Sequence, residues 1–552
     1  IMNTKVTVKV PKRSGFDKSH QNLLTTKCGT LTPILVDELI PNSHVNLSAA
    51  VTACLPPLAS DTFMRCDLKL EAFFVPHRIL YAGYEKWLTG DKVYNADNET
   101  DAEVWLPKVY PFFLNDDNEE EFNSAMTKPG TLFDYLGGKF TTGAGAPDAT
   151  VGTLNAFPFL AYYKIYDDWY RNTQVQAPLF YQSTVYDGSS SSDVSNIPYN
   201  IITEFTEIDN TRIRLGQEFG SNNEYVFGEL LQRNFGMDYF SIATPNAQLG
   251  DAKRVTFNTG GATGNFTIAA LRAANSLQQF AERNALGGLR MQDYVKNNYG
   301  ADLASGVAQR AIYLGSASIN VYSKGVYSNT SNDVNADLGT QNPFAGTVGA
   351  EFGSASCAGE SNLVSDFTAA EPGTLMVLAS LVPRVTYSTG LSRMMTRYQE
   401  GDAGNITDLA NPLLQNVGNQ PIFEYELTAG SYFNTNYSAS VFGYTDRYAD
   451  WKYMPDELHG LVRDGENLQA FALQRTFTGH PRINSTFLRI PTNYLDQVAA
   501  VDGSVSAYGC WIDSFFKYYV SMPLSEYSIP SLQDPAYEHG VDVNIDVRGS
   551  RL

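Results

Sequence analysis

The sequence predicts a mainly β protein, a sandwich or barrel whose strands are separated by very long insertions. Three observations carry this prediction. Segments near the start alternate apolar and polar residues with the period of a β-strand. Strand-like segments return after residue 371, and the long irregular middle contains only two helical patterns. The 33 tyrosines, 31 phenylalanines, 44 glycines and 25 prolines suit β-structure with many turns.

Residues 1–24 form a basic amino-terminal arm in a chain whose formal net charge is −20. A protein that wraps DNA with its whole surface would be basic, so any contact with nucleic acid has to be local. The arm holds one acid, Asp17, among its basic residues. Flexible cations of this kind bind phosphates without reading bases, although an ordinary solvated tail is the alternative. The candidate nucleic-acid-binding residues are Lys5, Lys9, Lys12 and Arg13.

Residues 25–80 contain the clearest strands, which we assign to the first part of the β-domain. The segment 44–55, "HVNLSAAVTACL", places its apolar residues on one face. The segment 64–74, "MRCDLKLEAFF", alternates more cleanly and predicts a half-buried antiparallel strand. We expect Leu68, Leu70 and Phe74 in the core, with Arg65, Asp67 and Lys69 outside it.

Residues 81–370 are predicted to be an expanded insertion. Its acidic part, 91–121, lacks the spacing of a calcium loop and is expected to be solvated. A helix is predicted at 158–170, and a second at 267–285 with a narrow apolar stripe and Gly287 beyond its end, which we interpret as a packed scaffold helix. Residues 173–265 hold a polar low-complexity run and are expected to be exposed loops. Residues 301–370 are rich in Gly, Ser, Asn and Ala and are assigned to the irregular insertion.

Residues 371–552 are predicted to complete the β-domain and to carry the carboxy-terminal segment. The strand-like stretches in this part lie at 372–391, 468–477 and 511–524.

The sequence shows little that could carry out chemistry. It has no phosphate-binding glycine loop and no nucleophile elbow, and its six histidines are scattered. We therefore expect no enzyme activity, no metal site and no cofactor. The neighbouring acids Asp167 and Asp168 leave a polysaccharide hydrolase as a minor alternative, although neighbours on a helix point apart.

The spacing of the cysteines and the hydropathy profile indicate the cellular compartment in which the protein folds. The five cysteines are widely spaced and contain no C-x-x-C, so free thiols are expected. No apolar stretch follows the basic start as a secretory signal would require, and none is long enough to span a bilayer. These features argue against the main alternative function, a secreted β-rich adhesin or glycan-binding protein.

Several segments, spread in order from about residue 15 to the end, resemble the major capsid proteins of the Microviridae, the small single-stranded DNA bacteriophages. Within that family the sequence is similar to the gokushovirus type. The matching segments are "GFDKSHQNLLTTKCGTLTPILVDELIPNSHVNL", "FFVPHRIL", "LNAFPFLAYYKIYDDWYRN", "LRAANSLQQFAERNALGGLRMQDYV" and "YMPDELHGLVR".

The resemblance implies a viral jelly roll, an eight-stranded antiparallel β-barrel with one greatly expanded connection. It implies self-assembly into a T=1 icosahedral shell around circular single-stranded DNA, with surface protrusions that meet the host. The implied partners are other copies of the chain, the genome, a small basic DNA-binding protein, a minor capsid or pilot protein and a bacterial surface receptor. The implied location is the virion, assembled in the host bacterial cytoplasm without membrane insertion.

Overall fold

A computed structural model describes most of the predicted β-domain and parts of the insertions. The described residues are 13–81, 84–89, 93–95, 100–102, 108–110, 112–114, 120–122, 128–138, 154–176, 212–214, 228–246, 309–328, 351–396, 419–431, 440–446, 448–477, 479–501 and 503–524, with isolated residues between 272 and 300.

The elements follow one another in this order along the described chain. The strands are β1 Ser14–Asp17, β2 His20–Thr26, β3 Thr32–Leu39, β4 His44–Cys54, β5 Cys66–Pro76, β6 Val93–Asn95, β7 Thr100–Ala102, β8 Lys108–Tyr110, β9 Phe112–Leu114, β10 Glu120–Phe122, β11 Leu154–Asn155, β12 Arg212–Arg214, β13 Ile312–Ser328, β14 Glu351–Thr368, β15 Gly373–Pro383, β16 Gln420–Phe423, β17 Val441–Thr445 and β18 Cys510–Met522. The α-helices are α1 Tyr84–Thr89, α2 Leu132–Tyr135, α3 Phe157–Ile165, α4 Arg393–Thr396, α5 Ala449–Lys452, α6 Ser485–Leu488 and α7 Ser504–Tyr508. Short 3₁₀ turns lie at His77–Ile79, Glu424–Glu426, Ala429–Ser431, Gly460–Val462, Gln469–Phe471 and Tyr494–Val498, and a π-helical turn at Tyr166–Tyr170.

Eight long strands form an antiparallel jelly roll, as the sequence predicts. Sheet A has the order β2-β18-β4-β14, and β1 also pairs with β18. Sheet B has the order β3-β15-β5-β13. Strand β13 joins the two sheets, because its first part pairs with β5 and its last part with β14. This two-sheet arrangement is the jelly-roll architecture of viral capsid domains.

The inner faces of both sheets bury one hydrophobic core. In β5, Leu68, Leu70 and Phe74 are buried, whereas Asp67 and Lys69 are only half-buried. The period-two prediction for this strand is confirmed, although the strand begins at Cys66 rather than at residue 64. Strand β4 alternates in the same way and supplies Val45, Leu47, Ala49, Val51 and Ala53 to the core.

A second apolar layer covers the outer face of sheet B. Phe73 and Val75 of β5 point away from the main core and pack against α3 and its neighbours. Helix α3 is buried on nearly every side, and Pro158 occupies its first turn, where a missing backbone N–H costs nothing. The helix predicted at 158–170 is therefore confirmed, as α3 followed by the π-helical turn Tyr166–Tyr170.

The predicted insertion 81–370 is too long at its carboxyl end. Residues 312–328 and 351–368, assigned to an irregular region, form the jelly-roll strands β13 and β14. The small residues in these strands are explained by close packing against neighbouring backbone and do not indicate loops. A Cβ at Gly315 would overlap the Leu363 carbonyl oxygen, and one at Gly353 would overlap the Ser60 carbonyl oxygen. The long connection between β5 and β13 thus spans residues 77–311.

Two further boundaries differ from the sequence predictions. Residues 228–246, predicted as part of an exposed loop region 173–265, lie in the main core through Phe235, Tyr239 and Phe240. Because these apolar residues are few and lie in a polar stretch, the composition of the stretch does not predict that they are buried. The arm predicted at 1–24 is also shorter, since residues 14–17 and 20–26 pair with β18.

The remaining predicted elements had different outcomes. The strand predicted at 511–524 is β18, and that at 372–391 contains β15. Residues 468–477 are not a strand, because their apolar residues run consecutively and a 3₁₀ turn forms at Gln469–Phe471. In the predicted helix 267–285, the described residues 272, 275–277 and 279 are helical, but Leu277 of its apolar stripe is 42% exposed.

Candidate functional site

The outer face of sheet A carries a row of exposed aromatic side chains. Strand β18 alternates strictly, with its even-numbered residues in the core and its odd-numbered residues outside. Trp511, Phe515 and Tyr519 are 41%, 44% and 55% exposed on that outer side. We call this outer surface of β2, β18, β4 and β14 the open face, and these three residues the aromatic row.

Short side chains flank the aromatic row on its β4 side. The register places Cys54, Ala50 and Asn46 of β4 opposite Trp511, Phe515 and Tyr519, respectively. The partner of Trp511 on the opposite side, in β2, is Thr25. On the other side of β18, Phe515 pairs with Gln21 of β2 and Tyr519 pairs with Asp17 of β1.

The described acids of the open face have polar partners, and one of them, Asp366, lies 2.7 Å from the His44 ring. The Asp513 carboxylate accepts a hydrogen bond of 2.7 Å from the Gln21 amide, and Lys517 contacts Glu360 at 2.5 Å. The hydrogen bond to Glu360 raises the pKa of Lys517 above its ordinary value. Asp17 at the rim accepts from the Ser19 hydroxyl and amide, which lowers its pKa. The face is thus nearly neutral and slightly acidic.

The predicted phosphate-binding arm meets the open face at one rim. Arg13 is exposed, and its guanidinium donates to the Asn42 carbonyl oxygen at 2.8 Å and to the Ser521 carbonyl oxygen at 3.4 Å. Ser14, the next residue, pairs with Met522 at the end of β18. The other candidates, Lys5, Lys9 and Lys12, lie outside the described residues.

A second surface is a cleft of 1060 Å³ lined by the start of β5 and by residues from 236–242 and 452–456. Met237 and Met454 line it and are 90% and 92% exposed, and Tyr322 is 57% exposed. The cleft also contains Arg65 and Lys69. Exposed methionines adapt to different partner shapes, and such patches are typical of protein interfaces.

The acids Asp167 and Asp168 do not form a hydrolase pair. Asp167 binds Arg171 at 2.5 Å, one helical turn away. Asp168 is buried, and its carboxylate accepts from Lys164 at 3.2 Å and from the Ala311 amide at 2.9 Å. The two carboxylates therefore have separate structural partners, and Asp168 ties α3 to the start of β13.

The described residues offer no other centre for chemistry. They contain no cluster of histidine, cysteine and acidic side chains that could hold a metal ion. Burial raises the pKa of the Cys28, Cys66 and Cys510 thiols, which keeps them protonated. Among these residues, no helix has both the length and the apolar character needed to cross a membrane.

Sequence reasoning missed the aromatic row, although the signal was present. The segment "WIDSFFKYYVSM" has aromatic residues at both phases of its alternation, so periodicity alone does not say which set is outside. The register with β4 decides it.

Comparison with known proteins gives a consistent result. A family model described as capsid protein (F protein) matches residues 4–263 and 203–532. The capsid protein VP1 of Chlamydia phage 1 is 24% identical over 631 aligned positions, which cover 95% of this chain and 96% of the relative. The VP1 proteins of Bdellovibrio phage phiMH2K and Spiroplasma virus 4 are 25% and 22% identical, with 87% and 94% of this chain covered and 88% and 95% of the relatives.

Proposed function

The chain belongs to the capsid protein (F protein) family of the Microviridae, in its gokushovirus type, and is a structural major capsid protein; from this premise we propose that it assembles into a T=1 icosahedral shell around circular single-stranded DNA. The observation that carries the proposal is the complete jelly roll with one greatly expanded connection, 77–311. A jelly roll with this one long connection is the arrangement that the family resemblance implies.

Exposed apolar side chains support the shell. Phe63, Met237 and Met454 are each more than four-fifths exposed in the single chain. Apolar surface of this kind is stabilised when another copy covers it. A stable contact between copies would bury on the order of 1,000 Å² or more. Hydrophobic contacts repeated around the shell would hold it together without covalent links.

The role is structural, and we propose that the chain catalyses no reaction. The two acids that suggested a hydrolase bind Arg171, Lys164 and the Ala311 amide instead. A carboxylate held by such partners is neither a free acid nor a free nucleophile.

The insertion is proposed to carry the host-facing surface. Helix α3 and residues 228–246 pack on the barrel on either side of residues 177–227, of which the structure describes only 212–214. The polar run Ser189 to Ser192 falls in this stretch, outside the described residues. Anchored ends allow the segment between them to vary without unfolding the barrel. Several copies of this surface around a symmetry axis could bind a bacterial receptor at the same time. Their combined binding would then be tighter than each weak contact alone.

The basic arm is proposed to neutralise genome phosphates. Lys5, Lys9, Lys12 and Arg13 would give affinity without sequence preference. A small basic DNA-binding protein and a minor capsid or pilot protein are the further proposed partners. Assembly would take place in the host bacterial cytoplasm.

Expression of the full chain, followed by electron microscopy, tests the proposed function. We expect closed particles with T=1 symmetry, and nuclease-resistant single-stranded DNA in particles taken from infected cells. A protein that stays monomeric and binds glycans would contradict the capsid assignment and support the adhesin alternative.

Deletion of residues 183–197 tests the host-facing surface. Particles should still form but adsorb poorly to host cells. Normal adsorption by intact particles would contradict a receptor role for this segment, and loss of particles would assign it to the shell.

A further inference from the structure

We infer that the cleft lined by Met237, Tyr322 and Met454 receives a loop of a neighbouring copy of the chain, residues 457–469, and that this contact joins copies in the shell. The contact presupposes the proposed function, since it names two of the surfaces through which the proposed shell is assembled. We call residues 457–469 the acidic loop.

Hydrogen bonds hold the acidic loop in a defined shape. The Nε of Arg463 donates to the Ser388 carbonyl oxygen at 3.0 Å, which ties the loop to the chain just beyond β15. Within the loop, the Leu468 amide donates to the Leu461 carbonyl oxygen at 3.0 Å. Because the loop is ordered before it meets a partner, binding costs little further conformational entropy.

The acidic loop nevertheless leaves much of its apolar surface uncovered. Leu461 is 56% and Leu468 is 39% exposed. Phe63, whose amide donates to the Phe471 carbonyl oxygen beside the loop, is 83% exposed. The described lining of the cleft ends at Asp456 and includes no residue of the loop, so the loop does not fill the cleft of its own copy. Grouped apolar side chains of this kind are typical of a surface that a partner covers.

The acidic loop has negative charge available for a partner. The Arg463 guanidinium is engaged by a backbone carbonyl oxygen outside the loop, and Glu457 lies 3.4 Å from the His459 ring. Asp464 and Glu466 are exposed, and neither forms an ion pair with another described residue. Two carboxylates therefore remain for a cationic partner.

The cleft has the opposite charge. Its charged side chains are four cations and three acids, namely Arg65, Lys69, Arg384, Lys452, Asp67, Asp238 and Asp456. The Asp238 carboxylate accepts from the Tyr387 hydroxyl and from two backbone amides, and Asp456 lies 3.8 Å from Arg384. Three cations and one acid are left to meet a partner, in a chain whose formal net charge is −20.

The size and the apolar lining of the cleft also suit the loop. Its volume of 1060 Å³ is that of a pocket that encloses a drug-sized ligand, so it has room for several side chains. Met237 and Met454 are 90% and 92% exposed, and flexible methionine side chains adapt to the shape of a partner. The two leucines of the loop would pack on these methionines, while the loop carboxylates meet the cations of the cleft.

The two surfaces differ, so the contact is heterologous. Two clefts that faced each other would bring like charges together, which disfavours a contact between identical surfaces. A heterologous contact leads from one copy to the next and closes into a ring when the rotation allows it. An icosahedral shell has three-fold and five-fold axes, and rings of copies around such axes need contacts of this kind.

Charge reversal on each side tests the contact. The loop-reversed variant carries Asp464→Lys and Glu466→Lys, and the cleft-reversed variant carries Arg65→Glu and Lys69→Glu. Each variant should lower the yield of particles by about tenfold or more, because like charges then face each other in every contact. The charge-swapped chain, which carries all four changes, should recover most of the wild-type yield.

A second pair of exposed acids provides the matched control. Glu38→Lys combined with Glu229→Lys changes the net charge by the same amount as the loop-reversed variant. This control should give particles at close to the wild-type yield. Urea unfolding of the unassembled chains checks that each variant is folded.

Zero-length cross-linking of wild-type particles tests the contact without any substitution. Particles are assembled from equal amounts of nitrogen-14 and nitrogen-15 chain and treated with a carbodiimide, which joins a carboxylate to an amine in contact with it. We expect mixed-isotope peptides that join Asp464 or Glu466 to Lys69 or Lys452.

The possible failures of the contact and of the shell are distinguishable. Wild-type yield from both reversed variants would overturn the contact and leave the proposed function intact, and so would a folded charge-swapped chain that recovers no particles. Reversed variants that form particles normally but adsorb poorly to host cells would also overturn it, because the occupant of the cleft would then be another protein. A wild-type chain that forms no particles would count against the proposed function itself.

Discussion

His77 is a buried histidine that holds together the first part of the long insertion. Its ring stacks on Phe157 with centroids 4.4 Å apart, and its Nε2 lies 3.0 Å from the Thr374 hydroxyl oxygen. Burial lowers the pKa of His77 from 6.5 to about 4. The folded state therefore keeps the ring neutral over a pH range in which the unfolded chain binds a proton.

The sign of the pH effect follows from that difference. Between pH 6.5 and about 4 the unfolded state binds more protons, so stability falls as the pH is lowered through this window. The slope should approach about 1.4 kcal/mol per pH unit. His77→Gln should flatten this slope in unfolding experiments, although the variant will be less stable throughout. His459→Gln is the control, because the His459 side chain is 81% exposed, and it should leave the slope as it is.

Asp168 is predicted to matter for stability. Asp168→Ala would leave the buried Ala311 amide and Lys164 without this carboxylate, at a cost of about 1–3 kcal/mol. Urea unfolding of the unassembled chain measures the loss. The exposed Asp464→Ala control should stay within about 0.5 kcal/mol of wild type. An equally stable Asp168→Ala variant would contradict the structural role and reopen the catalytic interpretation.

At the scale of elements, one hydroxyl connects α3 to two other segments. Tyr162 is fully buried, and its hydroxyl donates to the Leu31 carbonyl oxygen and accepts from the Leu231 amide, both at 2.8 Å. Tyr162→Phe should destabilise the chain by about 1–3 kcal/mol, because a buried amide loses its acceptor. Thermal unfolding checks this, with the exposed Tyr322→Phe as control. A melting temperature equal to that of wild type would show that the hydroxyl does not secure α3.

The sequence predicts some elements far better than others. Strand β5 has one buried apolar face and one half-buried polar face over residues 66–71, so its alternation is visible in the sequence. Strands β13 and β14 are hidden because close backbone approach selects glycine and other small residues, which also mark loops. The core residues of 228–246 are too sparse to show a period, and only tertiary contacts reveal them.

At the scale of the whole molecule, assembly is predicted to need no disulfides. None of the five cysteines is in a disulfide. Burial raises the pKa of Cys28, Cys66 and Cys510, so a thiol reagent at neutral pH should label the half-buried Cys54 first. Mass spectrometry before and after unfolding checks this order. Particles that run as cross-linked species only on non-reducing gels would contradict the prediction.

The sequence predicted the basic arm of the candidate site but not the aromatic row. A basic arm in an acidic chain is visible from composition, because charge needs no fold to be counted. The aromatic row depends on which side of β18 faces outward, and that depends on a register with β4 set by residues more than 450 positions away. The side of the jelly roll that the insertion covers depends in turn on the packing of α3.

An image reconstruction of filled particles tests the central claim most directly, namely that this jelly roll is the building block of a shell around single-stranded DNA. The proposed function predicts closed T=1 particles that enclose single-stranded DNA and carry the insertion 77–311 on their outer surface. Particles without icosahedral order, or particles with the insertion toward the lumen, would contradict it.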